Sequence, residues 1–243
     1  MRIILRDFWN FLKKPHSSQL PEVSTFKKTL HLFLALFVIR LISLVLEINA
    51  FRPLIRHLTG SEVARQYHSF DAVDFVVSAL LIAPLVEEAA YRLGLRFHPV
   101  QTAISLGLVA FYWLPFGGTY SYTSLLSVAQ LPGFYLMVFV SSVVGLTAYA
   151  LFKIPYVGSQ IAGKWNQQFG WIFYISSLLF GLMHVFNVRE ITWAVVVLAP
   201  VITFQQLVFG LFNGYVRMRY GFIQAVIQHA LFNLLPVLIR FWS

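Results

Sequence analysis

Seven stretches of this chain are each nearly long enough to cross a bilayer as a helix and carry little charge: roughly 29–48, 73–97, 100–116, 133–152, 169–187, 191–214 and 221–241. A hydrocarbon core about 30 Å thick requires some 20 predominantly apolar residues of helix. A soluble domain carries about a quarter charged residues, whereas this chain has 11% charged and 58% hydrophobic residues. The pattern predicts an all-α, polytopic membrane helix bundle of about seven transmembrane helices over residues 29–243. No internal repeat or Gly/Ser linker divides it. Residues 1–28 form a basic segment in which Phe8, Trp9, Phe11 and Leu12 stand beside Arg6, Lys13 and Lys14, the composition of a helix lying on the membrane surface.

The net charge of +9 would suggest nucleic acid in a soluble protein. Here the basic residues fall in short segments between apolar runs, where membrane topology and lipid headgroups account for them. No nucleic-acid partner is expected. With the N-terminus cytoplasmic, Arg92/Arg96, Lys153/Lys164 and Arg217/Arg219 lie inside, and the charge-free loop from Gly117 to Gly133 lies outside. Arg52, Arg56 and Arg65 run against this bias. The chain has no cysteine, which excludes a thiol nucleophile, a disulfide and cysteine-bound metal.

After Phe75 there are three acidic residues: Glu87, Glu88 and Glu190. A charge at the centre of a membrane helix costs on the order of 2.5–3.5 kcal/mol on insertion scales, so it persists where it pairs, lines a cavity or does chemistry. Glu88 and Arg92 are four apart and share a helix face. Glu87 lies about 100° round the helix, is not neutralised by that bond, and suits a general base. "FGLMH" places His184 in an apolar segment, and "HALFN" places His229 and Asn233 on one face of the last helix. Two buried His and a spare Glu on three helices fit a shared polar centre. A purely structural Glu–Arg–Glu cluster with packing histidines is the competing reading.

Glu, His, His and Asn around a water make a hydrolytic centre: Glu87 takes a proton, His184 positions the water, and His229 and Asn233 donate hydrogen bonds to an oxyanion. Two imidazoles and a carboxylate also suit zinc, which remains the alternative. The chain has no HExxH, no G-x-S-G and no GxGD. Asp71 and Asp74, at the start of a segment, read as helix-end charges.

"EEAAYR" (Glu87–Arg92), "FGLMH" and "HALFN" stand in the order of the EExxxR, FxxxH and HxxxN motifs of the CPBP (CAAX protease and bacteriocin-processing, Abi) family, and over about residues 80–235 the chain resembles that family. The resemblance implies an intramembrane endopeptidase similar to the type II CAAX prenyl endopeptidases. It acts on a membrane-associated peptide or protein in the lipid bilayer, as an integral protein of a prokaryotic plasma membrane. Glu87 and His184 would activate water, His229 and Asn233 would form the oxyanion hole, and Glu88–Arg92 would be a supporting ion pair. No metal or other cofactor is required. The interval from Glu87 to His184 is long for the family and holds two extra segments, about 100–116 and 133–152. On these boundaries Glu87 lies nearer the cytoplasmic side and His184 nearer the opposite end of its segment. A non-catalytic membrane partner or immunity protein, or a proton-coupled transporter, would use the same residues differently.

Overall fold

A computed structural model describes residues 1–17, 25–60, 62–64, 71–114 and 133–242. Arg65 and most of the expected outer loop, up to Gly133, fall outside these. Among the described residues the regular structure is helical, with no strand: α1 Arg2–Lys13; α2 Phe26–Leu46, continuing through a π-turn (Glu47–Phe51) into α3 Arg52–Thr59; α4 Ala72–Val77, a second π-turn (Ser78–Ile82) and α5 Ala83–Tyr91. There follow α6 Pro99–Trp113, α7 Phe134–Lys153, α8 Pro155–Gln167, α9 Phe169–Met183, α10 Trp193–Ile202, α11 Phe204–Tyr220 and α12 Phe222–Trp242.

The caps are local chemistry. Thr25, Asp71 and Thr192 each accept a bond from the backbone N–H three residues on, starting α2, α4 and α10. Gly60, at φ 74°, ends α3 in the left-handed region.

The protein is integral to the membrane. Among the described residues four helices are long and apolar enough to cross it: Phe26–Thr59, Phe134–Lys153, Phe169–Asn187 and Phe222–Trp242. The expected single segment 191–214 is instead two helices, α10 and α11, bent by 45°, with Pro200 interrupting the backbone bonds of α10. Counted as one span, this pair is the fifth. The stretch read as 73–97 ends at Tyr91 and carries three acids. At 15 residues, α6 is about 22 Å long. Length and composition therefore do not bring the count to seven.

The two segments expected between the first motifs form the α6–α7 hairpin. Its helices touch through small residues. A Cβ on Gly107 would come 2.9 Å from the Ser141 carbonyl oxygen, and one on Gly145 would come 3.3 Å from that of Ala103.

At the basic end, α1 lies across the bundle with Ile4, Phe8 and Phe11 buried and Ile3 and Trp9 exposed. Phe8 meets Phe212, and Phe11 meets Phe173, with both pairs of ring centroids 5.1 Å apart. Asp7 accepts bonds from Tyr215 Oη (2.9 Å) and Arg219 Nε (3.1 Å).

Gly107→Leu should lower hairpin stability by about 1–3 kcal/mol, as overpacking does. Gly163→Ala, inside α8 where a Cβ meets nothing within 4 Å, should not lower stability and should raise it by up to about 1 kcal/mol. Thermal melting of both purified variants in detergent checks the pair.

Candidate active site

The helix that carries the two glutamates is built from interruptions. In the π-turn before α5 the Ala83 N–H reaches back five residues to the Ser78 carbonyl. By the same register the next N–H would satisfy Ala79, but that residue is Pro84, which has none. The Asn233 amide nitrogen of α12 supplies the missing donor, 2.9 Å from the Ala79 oxygen. At the other end of α5 side chains also satisfy the last carbonyls. Ser105 donates to Ala90, Ser176 to Tyr91, and Arg217 Nε to Arg92 at 3.1 Å. Thus α6, α9, α11 and α12 together hold this one short helix.

Glu88 and Arg92 are both buried, at 0% and 1% exposure. Arg92 Nε lies 3.5 Å from Glu88 Oε2, its Nη2 donates to the Gly210 carbonyl at 3.3 Å, and its guanidinium stacks 3.8 Å from the Phe180 ring centre. A Cβ at Gly210 would meet Ser177, Phe180 and Arg92 within 3.3 Å, so glycine allows this approach. Glu88 also accepts from His229 Nδ1 at 2.8 Å. That bond places the proton of Nδ1 and turns Nε2 toward Glu87, whose Oε2 is 3.9 Å away. The Glu87 side chain keeps 14% exposure. The expected ion pair is present, and Glu88 has a second partner that spacing on one helix does not reveal.

His184 caps α9. Its Nδ1 lies 2.9 Å from the Phe180 carbonyl oxygen, so that nitrogen donates and Nε2 carries the lone pair. Helical side chains lean toward the N-terminus, so the ring sits back over the preceding turn. There its centroid is 5.1 Å from that of Phe180, whose own centroid is 6.1 Å from His229. Glu87, Glu88, Arg92 and His229 are in one group; His184 joins it through Phe180, and Asn233 joins it through the π-turn.

Several participants were not singled out from sequence. Asn213 is fully buried beside Glu88 and donates to the Ala225 carbonyl at 3.0 Å. Phe209 packs against the His229 ring at 4.7 Å. Both lie in or next to "GLFNGYVR", where a polar residue and two glycines in an apolar helix were the available signal.

A metal would take Glu87 and the Nε2 atoms of the histidines. Among the described residues no group of three or more His, Cys, Asp or Glu side chains is placed to hold one ion.

Arg92→Met should cost about 3–5 kcal/mol, because it strands a buried carboxylate, and Glu88→Gln added to it should recover part of the loss. Thermal melting of the two single variants and the double variant gives the coupling directly.

Residues 69–235 match a known family, described as type II CAAX prenyl endopeptidase Rce1-like. No curated protein and no solved structure matches the chain.

Proposed function

We propose, for a chain that belongs to the type II CAAX prenyl endopeptidase Rce1-like family, that it hydrolyses a peptide bond in a membrane-associated peptide or protein with water activated by Glu87. The observation that carries this reading is the 3.9 Å between Glu87 Oε2 and His229 Nε2. One water can bridge that separation with a hydrogen bond to each.

Glu87 takes a proton from the water as its oxygen attacks the scissile carbonyl carbon. The carbonyl π pair moves onto oxygen. His229 donates from Nε2 to that oxyanion, and Asn233 adds its second amide hydrogen. His184, with Nε2 as the acceptor, helps hold the water. Glu87 then returns the proton to the leaving amine as the C–N bond breaks. Glu88 and Arg92 position His229 and neutralise each other.

The reaction centre lies toward the basic end of the bundle, with His229 about 10 Å along α12 from that end. The positive-inside rule puts this end and the N-terminus in the cytoplasm. The mechanism is taken as metal-free because, among the described residues, no group of three or more His, Cys, Asp or Glu side chains is placed to hold one ion.

Glu87→Gln should lower turnover on the order of 10²–10⁴-fold, the range for a general base, while melting close to wild type. Glu88→Gln should lose stability as well as activity. A Glu87→Gln protein that cleaves normally, beside a folded but inactive Glu88→Gln, would exchange the two roles. The assay is release from quenched fluorescent peptides bearing an apolar anchor, with purified protein in nanodiscs.

Activity should also survive exhaustive chelation, with far less than one metal per chain by elemental analysis. Loss on chelation and recovery with Zn²⁺ would turn the same residues into ligands.

A further inference from the structure

The first helix of the α6–α7 hairpin ends against the reaction centre. Trp113 is the last residue of α6, and its indole has partners on two other elements. Nε1 donates to Tyr91 Oη at 3.1 Å, and the ring meets that of Phe186 edge-on, with centroids 5.8 Å apart. Tyr91 closes α5, one turn after Glu87. Phe186 lies in the 3₁₀ turn His184–Asn187, two residues after His184. One side chain therefore touches both the helix that carries Glu87 and the turn that carries His184.

These contacts close a ring. Tyr91 packs on Phe180 at 5.6 Å, and Phe180 on His184 at 5.1 Å. From His184 the path runs through Phe186 and Trp113 back to Tyr91. Tyr91 is 2% exposed and also packs on Tyr112 of α6 at 6.0 Å, so this corner of the ring is firm.

The opposite corner needs support. α9 ends at Met183, so His184 stands on a 3₁₀ turn, whose hydrogen-bond geometry is poorer than that of an α-helix. Phe186 is 45% exposed, and its one ring contact among the described residues is with Trp113. The bond from Nδ1 to the Phe180 carbonyl fixes one atom of the imidazole. The aim of Nε2 then depends on where the turn itself sits. An indole suits this task, since it combines a large rigid ring with an N–H that seeks a partner when buried.

We propose that Trp113 is a positioning residue that sets the turn carrying His184 against the helix carrying Glu87. In the endopeptidase reading, on which the kinetic half of the test rests, this holds His184 Nε2 at the water that Glu87 deprotonates.

Trp113→Leu removes both indole contacts. It should lower kcat on the order of 10²-fold, the cost of a displacement of about 1 Å at a reaction centre, and leave KM within about twofold. In the His184→Gln background the same substitution should add little, because the two changes act on one group. Unchanged turnover, or equal losses in the two backgrounds, overturns the proposal.

The ring-nitrogen NMR signals of His184 give a readout without turnover. They are assigned by their loss in His184→Gln, with isotope-labelled histidine and protein in nanodiscs. They should shift in Trp113→Leu, while those of His229, fixed by Glu88, stay in place. Phe186→Leu opens the ring at its exposed corner, should shift the His184 signals as well, and serves alone if Trp113→Leu does not fold. His184 signals that stay put in the folded variants overturn the proposal. Shifted signals in a protein that cleaves no peptide leave the positioning role standing and sink the endopeptidase reading instead.

Discussion

Glu88 has no contact with solvent, and its charge organises the centre of the bundle. Removing a carboxylate from water costs several kcal/mol unless an opposite charge and hydrogen bonds replace what is lost. Arg92, one turn on, supplies the charge, and His229 supplies the short hydrogen bond. Each partner is then held by others. Arg92 is tied to the Gly210 carbonyl and stacked on Phe180, and His229 is flanked by Phe209. Through Glu88 and its two partners, α5, α11 and α12 are held to one register. The aim of His229 Nε2 at Glu87 follows from that register.

The same helix shows how a membrane protein accommodates irregular backbone. Unsatisfied carbonyls in hydrocarbon cost several kcal/mol each, so breaks survive where neighbouring side chains supply donors. The π-turn with Pro84 leaves Ala79 to Asn233, and the abrupt end of α5 leaves Ala90 and Tyr91 to Ser105 and Ser176, while Arg217 joins the Leu95 N–H at the Arg92 carbonyl. A π-turn beside a reaction centre is a recurrent arrangement. Here it displaces Glu87 from regular helical register and gives Asn233 a structural bond in addition to its proposed chemical one.

The α6–α7 hairpin stands between Glu87 and His184 in the chain. Two successive antiparallel helices return the chain to the side it left, so α9 enters with unchanged polarity. Contact through Gly107, Ser141 and Gly145 makes the hairpin a compact unit, and Ser105, Tyr112 and Trp113 are among its connections to α5. On the opposite flank, α2 brings Arg40 against Gln205 and Phe232, a polar contact that depends on helices far apart in sequence.

Apolar runs with almost no charge leave a helical bundle as the form that satisfies every backbone group in a bilayer, and the sequence alone determined this. The i, i+4 spacing of Glu88 and Arg92 made their ion pair legible, and the motif order brought Glu87, His184, His229 and Asn233 to attention. Other features were decided by tertiary structure. That α5 stops at Tyr91 rather than Phe97 depends on side chains from other helices that satisfy its last carbonyls. The bond from His229 to Glu88 joins residues 141 apart, and neither helix's periodicity specifies it. The roles of Asn213, Phe209 and Gly210 were likewise hidden, because their partners Ala225, His229 and Arg92 stand on other helices. Local spacing is visible in one strand of sequence, whereas desolvation and partner choice arise when separate helices pack.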